Sequence, residues 1–162
     1  MICWHRPVGL KRRYFSRILA MLIFLDLDGV LRRKQSPLYR LDADCLGLFE
    51  QAVRKLPDAE IVITSSWREA FSLERMRGLF SPDIAARIVG ATPIDRRRED
   101  HYRYREVLAY LKRNGKSGVP WVALDDEPSH YPPFANLILI DGQRGFDSYA
   151  AERLASTVQY AS

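Results

Sequence analysis

Two close pairs of aspartates directly follow apolar runs in this chain of 162 residues. Asp26 and Asp28 lie in the run Phe24-Leu25-Asp26-Leu27-Asp28-Gly29-Val30-Leu31, and Asp125-Asp126 directly follows Trp121-Val122-Ala123-Leu124. A carboxylate on a strand end can attack phosphorus in line. The residue two positions on points back to the same side, where it can reach the leaving oxygen. Asp-x-Asp alone is a weak signal, and Asp-Leu-Asp-Gly also reads as a turn. The apolar run before it and Gly29-Val30-Leu31 after it favour the catalytic reading. Glycine at 29 permits a tight turn away from such a site. Asp125 and Asp126 raise a different point: adjacent carboxylates repel, so a shared strand end calls for a cation, which Mg²⁺ would supply. Without the first pair they would read as a solvated turn. Thr64-Ser65-Ser66, after Ile61-Val62-Ile63, offers neutral hydroxyl donors for an anion, or the cap of a following helix, with Ser66 in the capping place.

The elements that must position these groups follow from the apolar pattern. Residues 21–25 form a continuous apolar run ending at an acidic pair, as in a buried parallel strand. Residues 32–37 are polar and basic and read as an exposed loop. From 42 to 56, Cys45, Leu48, Phe49, Ala52, Val53 and Leu56 recur at helical steps; Asp42 or Asp44 caps the start and Pro57 ends it. Residues 61–63 are a second strand, 68–80 a helix, Ser81-Pro82 the opening of another short helix, and 88–90 a brief third strand. A charged loop over 95–100 leads to a helix over 102–113, with Val107, Leu108 and Leu111 inward and Asn114-Gly115 at its close. Residues 121–124 and 137–140 are further strands, and 147–159 a last helix. Strands alternating with helices imply an α/β fold: a three-layer, Rossmann-like parallel sheet with helices on both faces. Sites in such sheets form at the carboxyl ends of the strands. Three strands here end in Asp26/Asp28, Thr64/Ser65/Ser66 and Asp125/Asp126, and that convergence outweighs any single motif.

These motifs, together with Val62-Ile63-Thr64-Ser65-Ser66-Trp67-Arg68, Gly90-Ala91-Thr92-Pro93 and Ala123-Leu124-Asp125-Asp126, resemble the haloacid dehalogenase (HAD) superfamily of phosphohydrolases. The likeness runs from Met21 nearly to the C-terminus and is greatest to small capless HAD domains, including those associated with RNA repair. The resemblance implies Asp26 as nucleophile, through an aspartyl phosphate, and Asp28 as general acid and base. It gives a phosphoryl oxygen to the Thr64 hydroxyl, with Ser65 as the substitute. It implies a cation that neutralises the phosphoryl group. Capless relatives carry an Arg three residues before a Glu, and Arg103-Tyr104-Arg105-Glu106 fits, which selects Arg103; Arg105 and Lys112 stay open as alternatives, and Arg96, Arg97 and Arg98 also lie nearby. The implied Mg²⁺ ligands are a carboxylate oxygen of Asp26, the backbone carbonyl of Asp28, and Asp125, with Asp126 orienting the shell.

The formal charge of +5 suggests a nucleic-acid binder, but its distribution does not. Residues 1–20 hold Arg6, Lys11, Arg12, Arg13 and Arg17 and no acid, and the rest of the chain is formally neutral. They read as a basic extension, disordered or the product of an upstream start, before a single domain over 21–162 that starts naturally at Met21. The apolar run 18–25 has no small-residue cleavage site after it and is too short to span a bilayer, so neither secretion nor a membrane is expected. Cys3 and Cys45 have no metal-ligand spacing, and a reduced, cytoplasmic setting fits them. His101 and His130 lack partners at metal spacing.

Neither gap that carries a cap in larger HAD enzymes is long enough for one here: 31–42 makes only a short flap and 92–102 a loop. An uncapped site would be open, suited to a phosphorylated macromolecule such as a nucleic-acid end or phosphoprotein, or to a small phosphate ester with oligomerisation closing the site; the arginines at 32–33 and 96–98 and Lys34 could flank such a substrate or be solvated loops. Other readings compete. One is a catalytically silent HAD-like domain that binds metal and phosphate in a regulatory role. Another is a phospho-accepting receiver domain, disfavoured because its acidic pair and acceptor fall on different strands. A third, a basic nucleic-acid binder, rests on residues 1–20.

Overall fold

The computed structural model describes residues 21–159. The readings for residues 1–20 lie outside the described residues. The elements are β1 (Leu22–Leu25), α1 (Ala43–Arg54), β2 (Glu60–Ile63), α2 (Leu73–Arg77), α3 (Pro82–Ala85), β3 (Ile88–Ala91), α4 (Tyr102–Arg113), β4 (Trp121–Asp125), β5 (Leu137–Leu139) and α5 (Ser148–Gln159). Short 3-10 turns at Ser66–Glu69 and Pro128–His130 follow β2 and β4. The strands form one all-parallel sheet in the order β3-β2-β1-β4-β5.

Every side chain of β1 is fully buried because helices cover both faces of the sheet, which is why its sequence shows no polar alternation. Ile23 and Leu25 pack with Ile61, Ile63, Val122 and Leu124 against α1, α2, α3 and α5. Leu22 and Phe24 point the other way, with Val62 and Ala123, onto Val107, Tyr110 and Leu111 of α4 and onto Tyr131. Phe24 meets Tyr110 and Trp121 edge-on, with ring centroids 5.8 and 5.7 Å apart. β1 sits at the centre. The chain proceeds from it to β2 and β3 on one side, then crosses to β4 and β5 on the other. The crevice beyond the carboxyl ends of β1 and β4 is therefore the topological switch point.

Three details differ from the sequence reading. The helix expected over 68–80 is interrupted. Ser65, and not Ser66, caps a single 3-10 turn by accepting the Trp67 N–H; the chain then straightens, and Ser72 starts α2 by accepting the Arg75 N–H at 3.2 Å. Serine hydroxyls compete for backbone donors and so divide the segment. On α4 the inner stripe is Arg103, Glu106, Val107, Tyr110 and Leu111, whereas Leu108 is 43% exposed. The steps of three and four run through two charged residues, which a hydrophobic count passes over. Asp42 occupies the N-cap position of α1 but gives its carboxylate to the Arg33 N–H at 2.7 Å and the Ser36 hydroxyl at 2.9 Å. It therefore fastens the 31–42 loop in place of capping the helix.

Among the described residues no cap domain is present. Loop 31–42 crosses the ends of the strands, joined to the 141–145 segment by Lys34 N–H to the Gly142 carbonyl at 2.9 Å and Arg33 Nε to the Arg144 carbonyl at 2.9 Å. Among the described residues no helix is long and apolar enough to cross a membrane.

The assignment of the α4 faces predicts a sharp contrast. Leu111→Ala should cost about 2–5 kcal/mol in urea unfolding, and Leu108→Ala less than about 0.5 kcal/mol. Equal costs would show that α4 is rotated from this placement.

Candidate active site

Side chains alternate along a strand, so a residue two beyond Phe24 falls on the α4 face, and likewise two beyond Val62 and Ala123. Those residues are Asp26, Thr64 and Asp125. Register brings them level, because Phe24 pairs with both Val62 and Ala123. The Asp26 N–H donates to the Leu124 carbonyl at 3.0 Å, and the Thr64 N–H to the Leu25 carbonyl at 2.9 Å.

Carboxylate oxygens of Asp26, Asp125 and Asp126 lie within 4.8 Å of one another. Asp26 is 4% exposed and Asp125 fully buried. Each has a holder. Asp26 accepts the Leu27 N–H at 2.8 Å. Asp125 accepts the Glu127 N–H at 2.9 Å and lies 3.1 and 3.2 Å from Nδ1 of His130. Asp126 pairs with Lys34 Nζ at 2.6 Å and fits against Gly29 and Gly142, where added Cβ atoms would come within 2.2 and 2.4 Å of its carboxylate. Gly29 also has φ +72°, so both its space and its backbone exclude a side chain. Asp28 stands apart. Its carboxylate is partly exposed and 2.5 Å from Arg32 Nε. Only its backbone carbonyl, which the family resemblance made a ligand, remains to join the acidic group.

Burial, then the charge of Asp125, pushes the Asp26 carboxyl up to about 7; Arg103, the Leu27 N–H and the Ser65 hydroxyl work against that rise. Thr64 is fully buried and its hydroxyl has no hydrogen-bond partner among the described residues. Ser65 is divided between capping the 3-10 turn and the Asp26 carboxylate.

Arg103 is 4% exposed and donates to the Thr64 carbonyl and, at 3.2 Å, to Glu106. Burial disfavours its charge, yet Asp26, Tyr102, Glu106 and Asp125 outweigh that and push its pKa up. The alternatives lie elsewhere: Arg105 pairs with Asp95 at 2.8 Å and Lys112 is exposed. Glu106 also accepts from Arg68 at 2.7 Å and from the Asp95 N–H at 2.8 Å. Arg68 in turn donates to the carbonyls of Thr64, Ser65, Thr92 and Pro93. One carboxylate thus anchors two buried guanidinium groups, and these tie the end of β2 to the loop after β3.

A family model described as "HAD domain in Swiss Army Knife RNA repair proteins" matches residues 22–151. The chain belongs to this HAD family. Comparison with curated proteins and with solved structures gave no match. Membership makes phosphohydrolase-type chemistry the expected class for this HAD domain, and HAD proteins typically use a metal ion. The donor set fits one: three carboxylates, two of them buried, converge with no neutralising side chain at their centre. Buried polar atoms without partners among the described residues, Thr64 Oγ1, Arg103 Nε and the Tyr131 hydroxyl, fit an anion beside it.

Several of the surrounding residues carried no signal in the sequence. His130 follows Asp125 by five positions, a spacing that fits no helix or strand, and the Pro128–His130 turn alone brings it back. Arg32 and Lys34 read as cations of an exposed loop that could flank a substrate, and nothing in their spacing ties them to Asp28 and Asp126. Glu106 was visible as the acid three residues after Arg103, though not as the anchor of Arg68.

The Asp26 carboxyl binds its proton more tightly folded than unfolded. It therefore favours folding at low pH, and that contribution is lost as pH rises from the ordinary value of 3.8 through about 7. In chelator, the melting temperature should fall across pH 5–8, and Asp26→Asn should flatten that slope. Added Mg²⁺ should restore stability most at the alkaline end. Thermal unfolding by circular dichroism checks this; a native profile that is flat in chelator contradicts the buried carboxylate group.

Proposed function

We propose that this HAD domain is a Mg²⁺-dependent phosphomonoester hydrolase acting through an aspartyl phosphate on Asp26, with nucleic-acid ends among its bulky substrates. The observation that carries this reading is the convergence of Asp26, Asp125 and Asp126 within 4.8 Å, beside the buried guanidinium of Arg103 and the unpartnered hydroxyl of Thr64. The family name supports the RNA-related substrate class, and the lack of a cap domain supports a large one.

Asp26, Asp125 and Asp126, with the carbonyl of Asp28, would hold Mg²⁺. When bound, the ion offsets the carboxylates' mutual repulsion and draws charge from the phosphoryl oxygens. The steps belong to the side chains. An oxygen of Asp26 attacks phosphorus, and the ester P–O bond on the far side breaks. Arg103 balances the charge of the phosphoryl group; opposite charges about 4 Å apart attract by about 4 kcal/mol at an effective dielectric near 20. The Thr64 hydroxyl donates to a phosphoryl oxygen. Asp28 gives its proton to the leaving alkoxide. It then takes a proton from the water that attacks the acyl phosphate, which frees Asp26 and inorganic phosphate. Asp28 must leave Arg32 to do so, and its partial exposure at the edge of the site allows that movement.

Phosphate release from an aryl phosphate tests this reading. Activity should require Mg²⁺, vanish with chelator, and fall at least about 10³-fold in Asp26→Asn, with Arg103→Lys retaining more than Arg103→Ala. Metal binding with no release from aryl, nucleotide or nucleic-acid-end phosphates would favour a silent metal- and phosphate-binding domain.

A further inference from the structure

Resting on that reading, we infer that the cleft lined by Arg68, Arg96 and Arg98 binds a second phosphate group of the same substrate. The cleft has a volume of about 360 Å³, and Glu69 and Ile94 complete its lining. It adjoins the phosphoryl site through Arg68, whose guanidinium shares Glu106 and the Thr64 carbonyl with Arg103. It adjoins it again through Tyr102: Arg103 Cζ lies 5.2 Å from that ring's centroid and Arg98 Cζ 5.9 Å. A cation bound for the transferring phosphoryl group and a cation of the cleft thus rest against one ring.

The donors are unequally committed. Every N–H of Arg68 is spent on the four carbonyls and Glu106, so it contributes charge and rigidity and no free donor. Arg97 and Arg105 both turn to Asp95. Arg98 gives one nitrogen to Glu69 at 2.5 Å and keeps the rest of its fork uncommitted among the described residues. Arg96 is exposed and has no carboxylate partner among the described residues. The loop that presents these groups is held in an unfavourable conformation: Arg98 has φ +49° and His101 φ +60°, both non-glycine residues in the left-handed region. Two guanidinium forks with free donors, facing a cleft of net positive charge, suit a phosphate group better than any neutral ligand. The substrate is then a phosphomonoester that carries another phosphate close by, as in a nucleoside bisphosphate or the end of a polynucleotide strand.

The test compares an aryl phosphate, a nucleoside 3′,5′-bisphosphate and a short phosphorylated oligonucleotide in the native protein, Arg96→Glu and Arg96→Ala/Arg98→Ala. The ratio of kcat/KM for a two-phosphate substrate to that for the aryl phosphate should fall about tenfold for each arginine lost. A fall with the bisphosphate means that one further phosphate suffices; a fall with the oligonucleotide alone names a strand as its source. Ratios that stay constant for both overturn the inference, and so does an equal loss on the aryl phosphate. If no protein releases phosphate from any substrate, the hydrolase reading fails and binding decides the cleft. Bisphosphate affinity for Asp26→Asn should then exceed that for Asp26→Asn/Arg96→Glu, the more so at low salt, and equal affinities overturn the inference.

Discussion

Like charges held together out of water govern this molecule. Three carboxylates share a space less than 5 Å across at the ends of two neighbouring strands, and two of them are almost fully buried. Nothing in the apolar core compensates them. The surroundings do so in pieces: Arg103 from α4, Lys34 from the loop after β1, His130 from the turn after β4, and backbone N–H groups from Leu27 and Glu127. These partners come from three segments, the chain after β1, the chain after β4 and helix α4, so the group holds its shape only when the whole carboxyl edge of the sheet is assembled. That dependence couples the stability of the domain to pH, and a poorly compensated acidic group is also what a metal-binding site requires.

Helix α4 has an unusual share in this. It covers the second face of the sheet with Val107, Tyr110 and Leu111, and one turn earlier the same stripe carries Arg103 and Glu106. The charged pair is buried because the helix continues past the apolar core to the ends of the strands. Glu106 has a role of its own there. Two buried guanidinium groups would repel each other, and the single carboxylate between Arg68 and Arg103 lets both remain charged. The Arg103 guanidinium is therefore held in position by the packing of a core helix.

Loop 31–42 works differently. It has no regular structure, yet it is fastened by Asp42, by Arg33 to the Arg144 carbonyl and by Gln35 to the Gln143 carbonyl. Two of its cations rest on carboxylates of the site, Arg32 on Asp28 and Lys34 on Asp126. Lys34 is half exposed, and such a pair in contact with water contributes little stability. The loop thus covers the acidic edge without a strong hold on it.

The sequence alone determined the sheet, its layers and the convergence of three strand ends, because buried parallel strands write themselves as short apolar runs and the next residue is forced to the carboxyl edge. Asp26, Thr64 and Asp125 could be read off in this way, whereas Arg103 was singled out only by the resemblance to capless HAD domains. Leu108 was misplaced and the 68–80 segment drawn as one helix, since hydrophobicity gives neither the rotation of a helix nor the competition of Ser65 and Ser72 for backbone donors. Tertiary structure decided the rest. It buried Arg103 and left Arg105 on Asp95 and Lys112 exposed, brought His130 to Asp125, and set Arg32 and Lys34 on acids that no local pattern connects to them. Contacts between segments distant in the chain depend on register and on how loops close. Neither leaves a period in the sequence, and both arise only when the strands are laid side by side.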